Sequence, residues 1–95
     1  MRLYDIIVRP VETEKAYLMR EERKYVFVVH MDANKLQVKK AVEEIYDVTV
    51  ERVRTMVMPG KSNRTRGRSR TTRRAPFKKA IVTVAEGQRI EALEA

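Results

Sequence analysis

The clearest chemical signal in the sequence is a segment, residues 59–79, that holds nine basic side chains and no acidic one. They are Lys61, Arg64, Arg66, Arg68, Arg70, Arg73, Arg74, Lys78 and Lys79. The rest of the 95-residue chain carries the other 12 of the 21 basic residues and all 13 acidic ones. The formal net charge of +8 therefore resides in this segment. Such a concentrated positive field suits a dense negative partner, most often a phosphate backbone.

The composition of the segment points to RNA. Arginine outnumbers lysine there by six to three, and small polar residues separate most of the cations. A guanidinium pairs with phosphate through two N–H groups and stacks on bases, which an ammonium cannot do. Gly67 permits close backbone approach, and segments of this type are disordered alone and fold against RNA. A solvated loop without function and a membrane-surface anchor are alternatives, although the latter normally has apolar anchors beside the cations.

Side chains that could support catalysis or hold a metal are few and scattered. The sequence contains no cysteine, so it has neither a disulfide framework nor a thiolate metal site. His30 is the only histidine and ends a β-rich run, where a surface position is expected. The serines, Ser62 and Ser69, both lie in the basic segment, and no GxSxG elbow or Walker loop is present. We therefore expect no enzymatic activity, no cofactor and no metal.

The length and hydropathy of the chain favour one small domain, residues 1–95. No apolar run approaches the length of a membrane-spanning helix, and residues 1–10 contain no signal-peptide core. The sequence thus predicts a soluble, intracellular protein without membrane insertion.

Capping signals and periodicity predict the helices that must position the basic segment. Thr13 is the expected N-cap of a short helix that begins at Glu14. Asn34 is expected to cap the main helix, with Gln37 at capping-box spacing. The apolar residues of that helix recur at i, i+3, i+4 and i+7, which predicts one buried stripe: Val38, Ala41, Val42 and Ile45.

β-branched and aromatic runs predict three strands, at residues 25–30, 48–58 and 80–84. The apolar parity of the second run switches near Glu51 and Arg52, which indicates a bulge. Arg9 and Pro10 are expected to end the first apolar stretch. The predicted fold is α+β: a small antiparallel sheet packed with helices, and the basic segment forming the long loop of a hairpin.

Motifs in order along nearly the whole chain resemble the universal large-subunit ribosomal protein twenty-three family, in its bacterial form. They are Arg9-Pro10-Val-x-Thr-Glu-Lys15, Tyr25-x-Phe-x-Val29, Ala33-Asn-Lys35-x-x-Val-Lys39-x-Ala-Val-Glu43, Tyr46, Val48-x-Val50, Val53-x-Thr55-x-x-x-x-Gly60-Lys61, Lys78-Lys79-Ala80-x-Val82 and Glu86-Gly87-Gln88-x-Ile90. Two positions depart from the family pattern: Asn34 stands where Thr is common, and Arg54 where Asn is frequent.

The resemblance implies a structural constituent of the large ribosomal subunit that binds large-subunit rRNA near the polypeptide exit tunnel, among neighbouring ribosomal proteins. It implies a ribosome-bound protein of the cytoplasm, and an organellar ribosome is also compatible. The docking place for trigger factor and the signal recognition particle would comprise Thr13, Glu14, Tyr46 and Asp47. The RNA-binding residues would be the nine basic residues of the segment together with Arg9, Lys15, Lys35 and Lys39.

Two other functions stay open at this point. Strand, helix and strand within residues 25–58 resemble the first half of an RRM, in which Tyr25 and Phe27 would stack on bases. The absence of an RNP1 pattern and the short chain after Val84 count against this module. The other function is non-specific DNA compaction, although Glu43 and Glu44 balance the cations of the main helix.

Overall fold

The computed structural model describes residues 2–59, 62–64, 71–73 and 75–93. Its elements are α1 (Leu3–Ile6), β1 (Ile7–Pro10), α2 (Glu14–Arg20), β2 (Lys24–Val29), α3 (Lys35–Tyr46), β3 (Val50–Met58), β4 (Ser62–Arg64), β5 (Thr71–Arg73), β6 (Phe77–Val84) and a 3-10 turn (Glu91–Leu93). Strands β1, β2, β6 and β3 form, in that order, a four-stranded antiparallel sheet. The predicted α+β fold is confirmed.

The core lies between α3 and one face of the sheet. Alternate residues of the strands point to this face, because successive side chains of a strand lie on opposite sides. The side chains buried there are Tyr25, Phe27, Val29, Val38, Ala41, Val42, Val50, Ala80, Val82 and Val84. The Phe27 ring also stacks on Tyr46 at the end of α3, with 5.7 Å between ring centroids. The predicted stripe of α3 is confirmed, with Ile45 only partly buried.

Both predicted helix caps are present. The Thr13 hydroxyl accepts a hydrogen bond from the Ala16 N–H at 3.2 Å. The Asn34 side chain accepts from the Gln37 N–H at 2.9 Å, and the Gln37 side chain accepts from the Asn34 N–H at 3.0 Å. This reciprocal pair satisfies donors that the first turn of α3 would otherwise leave without partners.

The bulge predicted in β3 is also confirmed. Val50 pairs with Val84 of β6, and Arg52 pairs with Thr83. Between these two pairs the chain moves two residues along β3 but only one along β6, so β3 contains one extra residue. In a regular strand Val50 and Arg52 would share a face. The extra residue instead leaves Val50 in the core and turns Arg52 to the opposite face.

Strand β1 contains an equivalent bulge that the sequence did not reveal. Ile7 pairs with Val29 of β2, and Arg9 pairs with Val28. Ile7 therefore packs against the core, whereas Arg9 lies on the opposite face of the sheet.

Two predicted strand starts are wrong, whereas the predicted end of the first apolar stretch is confirmed, because Arg9 and Pro10 are the last residues of β1. This strand is at the edge of the sheet, where the missing N–H of a proline is tolerated. Strand β3 begins at Val50 rather than at residue 48, and β6 begins at Phe77 rather than Ala80 because its pairing with β3 extends to Met58.

The hairpin between β3 and β6 is confirmed, and it carries a second ladder. Strands β4 and β5 pair antiparallel, from Ser62 opposite Arg73 to Arg64 opposite Thr71. The predicted disorder of the loop concerns residues that are mostly outside the described part of the chain.

Candidate nucleic-acid interface

The face of the sheet opposite α3 is rich in cations. Helix α2 covers part of it, and Ala16 and Val26 are buried where the helix meets β2. Around this contact lie basic side chains from three strands and from α2. We call this surface the basic face, and it consists of Arg9, Lys15, Arg52, Arg54 and Lys79.

A row of four paired residues crosses the basic face. Arg9 of β1 pairs with Val28, Val28 pairs with Lys79 of β6, and Lys79 pairs with Met56 of β3. Neighbouring strands are about 4.8 Å apart, so the Arg9 and Lys79 backbones are separated by about 10 Å. Val28, with 8% of its surface exposed, lies between them. Two cations thus flank an apolar strip.

Arg52 and Arg54 extend the basic face along the edge strand β3. Both are exposed, and they pair with Thr83 and Ile81, whose side chains lie on the same face. Neither arginine was among the residues predicted to bind RNA. The switch in apolar parity near Glu51 and Arg52 could have identified them. Once a bulge is placed before Arg52, residues 52, 54 and 56 lie on the face of β3 opposite the apolar face.

Within the described residues, the cations of the basic face form no ion pair. The ion pairs present there are Arg23 with Glu51 at 3.6 Å and Lys24 with Glu22 at 3.7 Å. An unneutralised cluster of this size attracts an anionic partner.

Lys78 and Lys79 differ in role although they are neighbours. Lys78 points to the α3 side, where its Nζ donates a hydrogen bond to the Ala33 carbonyl at 2.6 Å. Lys79 lies on the basic face. The ammonium of Lys78 is therefore hydrogen-bonded within the domain, whereas Lys79 lines the open grooves of the basic face.

The remaining predicted RNA-binding residues are distributed over two other places. Lys35 and Lys39 are exposed on α3, on the other side of the sheet from the basic face. Arg64 and Arg73 belong to the ladder of β4 and β5. The other predicted cations lie outside the described residues: Lys61, Arg66, Arg68, Arg70 and Arg74.

The four residues expected to dock chaperones do not form one patch. Thr13 and Glu14 are exposed at the start of α2, whereas Tyr46 and Asp47 end α3 on the opposite face of the sheet. Tyr46 is partly buried, and desolvation raises the pKa of its phenol above the ordinary value of 10.0. Asp47 is exposed and adopts a left-handed conformation with φ of 52° that ends the helix.

His30 is exposed just beyond β2, as predicted, and its Nδ1 accepts a hydrogen bond from the Asp32 N–H at 3.1 Å. No three His, Cys, Asp or Glu side chains of the described residues are grouped so that they could hold a metal ion. The helices in the described ranges are too short or too polar to cross a membrane.

The fold and the site define a class: a small α+β domain with one basic face and a basic hairpin. The chain belongs to the ribosomal protein L23 family, whose model matches residues 5–92. This confirms the resemblance seen in the sequence motifs. The family is one of structural ribosomal proteins, so the expectation that the chain is not an enzyme is confirmed as well.

Named relatives are similar over nearly the whole chain. The large ribosomal subunit protein uL23 of Thermotoga neapolitana is 46% identical over 97 residues, which cover 99% of this chain and 92% of the relative. That of Herpetosiphon aurantiacus is 47% identical over 96 residues, covering 99% and 98%. That of Bifidobacterium longum is 49% identical over 88 residues, covering 93% and 88%.

The RRM-like alternative is wrong. Tyr25 and Phe27, which would have to stack on bases, are both 0% exposed because they face α3 in the core. The family model that matches the chain is also that of ribosomal protein L23 and not that of an RRM.

Proposed function

We propose that this protein is a structural constituent of the large ribosomal subunit and binds large-subunit rRNA through its basic face and its hairpin. The family supports the ribosomal role, since its similar members are named as proteins of the large subunit. A ribosome-bound protein of the bacterial cytoplasm, with rRNA and other ribosomal proteins as its neighbours, follows from this assignment.

The placement of two arginines by bulges is the observation that carries the proposal. Arg9 and Arg52 lie on the same face because each follows a register shift in an edge strand. Without these shifts both residues would point toward the side of the sheet that packs on α3. Lys79 lies between them in the sheet, and the hairpin with its further cations continues from the same two strands, β3 and β6. A polyanion could therefore contact the face and the hairpin together.

We also propose a location on the ribosome and partners for this protein. We place the protein beside the polypeptide exit, with the hairpin reaching toward the tunnel wall. Thr13 and Glu14 are exposed at the start of α2, beside the basic face, and Thr13 also lines the grooves of that face. We assign to this exposed turn the docking of trigger factor and the signal recognition particle.

A test of the RNA surface compares two double variants with the same loss of charge. Arg52→Ser with Arg54→Ser removes two cations of the basic face. Arg2→Ser with Lys40→Ser removes two exposed cations elsewhere. Each protein, tagged and expressed in cells, is followed through a sucrose gradient with the large subunit, and its affinity for purified large-subunit rRNA is measured.

We expect the variant of the basic face to bind rRNA more weakly and the control to behave as wild type. Equal affinities for the two variants would show that β3 does not face RNA. A wild-type protein that fails to sediment with the large subunit would refute the ribosomal assignment.

A further inference from the structure

An open groove of about 650 Å³ lies at the junction of β1, the β1–α2 connection and the start of β6. Its lining includes Arg9, Pro10, Glu12, Val28, Phe77 and Lys79. The volume is within the range of about 300–1,000 Å³ found for sites that hold small molecules. All of these residues belong to the described part of the chain.

The groove combines an aromatic ring, an apolar floor and two cations. Phe77 has 42% of its surface exposed, which is high for a phenylalanine on a sheet, and it lies two residues from Lys79 on the same face. Val28 and Pro10 supply the apolar floor between Arg9 and Lys79. Exposed aromatic rings beside cations are the usual means of binding unpaired nucleotides, since bases stack on the ring and phosphates pair with the cations.

We propose that this groove holds one unpaired nucleotide of RNA, with its base against the Phe77 ring and its flanking phosphates on Arg9 and Lys79. The proposal rests on the proposed function for the nature of the polymer, and it adds a specific subsite and a preference for single-stranded RNA. Double-stranded RNA offers phosphates to the two cations but no free base face to the ring. Glu12 disfavours a further phosphate in the groove and can accept a hydrogen bond from a base amino group or a ribose hydroxyl.

The absence of tryptophan from the chain makes a direct test possible. The variant Phe77→Trp places a single indole in the groove, and its emission is recorded with two probes, a ten-nucleotide oligouridine and a ten-base-pair blunt RNA duplex. We expect the oligouridine to quench the emission through stacking and the duplex to leave it nearly unchanged at equal occupancy. Equal quenching by both probes would show that the ring does not recognise an unpaired base and would overturn the proposal.

A second variant measures the contribution of the ring. Phe77→Leu keeps an apolar side chain but removes the stacking surface, and we expect its affinity for oligouridine to fall by about 5- to 150-fold, which corresponds to about 1–3 kcal/mol per stacked base. Its affinity for the duplex should stay near that of wild type. Tyr4→Leu is the matched control, because Tyr4 is an aromatic residue with 78% exposure in α1.

The outcomes separate this proposal from the assignment to the ribosome. If Phe77→Leu binds both probes more weakly by the same factor, or binds both as tightly as wild type does, the nucleotide subsite is refuted. Binding to large-subunit rRNA can persist in either case. If the wild-type protein binds no large-subunit rRNA, the proposed function fails whatever happens at Phe77. Circular dichroism of each variant shows whether the fold is retained before affinities are compared.

Discussion

Lys78 and Lys79 are adjacent in β6 but serve opposite faces of the sheet. The Lys78 ammonium donates to the Ala33 carbonyl at 2.6 Å, just before α3, whereas Lys79 lines the grooves of the basic face. The alternation of side chains along a strand is sufficient to separate the two roles. Two neighbouring lysines in a basic sequence can therefore have different functions.

The first prediction follows from this separation. Lys78→Met should lower the free energy of unfolding by about 1.5–3 kcal/mol at most, because it removes a hydrogen bond from a charged donor and leaves the Ala33 carbonyl without that partner. Lys79→Met should leave unfolding nearly unchanged and weaken RNA binding. Urea denaturation and rRNA binding of both variants check this. The reverse pattern would show that Lys78, and not Lys79, is the RNA contact.

The second prediction concerns the hairpin. Each phosphate contact adds about 0.7–0.9 to the slope of log K against log salt concentration. Replacing Arg64, Arg66, Arg68 and Arg70 by Ser should therefore flatten the salt dependence of rRNA binding, by up to about three units if each arginine contacts one phosphate. Arg2→Ser with Lys40→Ser should keep the wild-type slope. An unchanged slope for the hairpin variant would place the RNA surface elsewhere, for example on α3 around Lys35 and Lys39.

The third prediction concerns alkaline pH. Burial raises the pKa of Tyr46 above its ordinary value of 10.0, so the folded protein retains a proton that the unfolded chain loses more readily. The stability contributed by the protonated phenol is fully present below about pH 10 and is lost as pH rises through the folded pKa. Because the phenol is only partly buried, this loss is small. Tyr46→Phe should therefore lose stability less steeply above pH 10.

The control for this effect is Tyr4→Phe, since Tyr4 is an exposed phenol in α1. Urea denaturation of the three proteins between pH 8 and pH 11 gives the slopes. Parallel curves for wild type and Tyr46→Phe would mean that the phenol titrates alike in the folded and unfolded states.

The fourth prediction concerns Glu14. Its favourable position at the start of α2 contributes only about 0.3–1 kcal/mol to stability. Truncating one member of a desolvated charge pair at an interface costs about 2–5 kcal/mol. Glu14→Ala should therefore leave melting temperature and ribosome assembly nearly unchanged while sharply weakening the binding of trigger factor to ribosomes.

A matched control for Glu14 is Glu44→Ala, which removes an exposed carboxylate of α3. Chaperone affinity is measured on ribosomes that carry either variant. Wild-type affinity with Glu14→Ala would leave this residue as an ordinary charge at a helix end.

Local signals predicted much of the fold. The caps at Thr13 and Asn34 are set by side chains within three residues of the groups they satisfy, so a short stretch of sequence contains the whole interaction. The apolar stripe of α3 and the bulge near Arg52 are likewise visible in periodicity. The strand β1 was missed because its formation depends on pairing with β2, which lies about twenty residues further along the chain.

The candidate site was predicted less completely than the fold. The charge of the hairpin is evident from composition, but membership of the basic face depends on strand order and on two register shifts. Arg9 was found through its motif, whereas Arg54 and Phe77 were not assigned a role. A role for Phe77 becomes visible only in the structure, because β6 begins at this residue and its ring lines the groove.

The two bulges have a further consequence for the protein before it meets RNA. Strands β1 and β3 are the edges of the sheet, and an edge presents N–H and C=O groups that can recruit a strand from another chain. A bulge twists such an edge and interrupts its row of regular donors and acceptors, and Pro10 removes one donor at the end of β1. The irregularities that turn arginines outward thus also disfavour strand-to-strand aggregation of newly made copies.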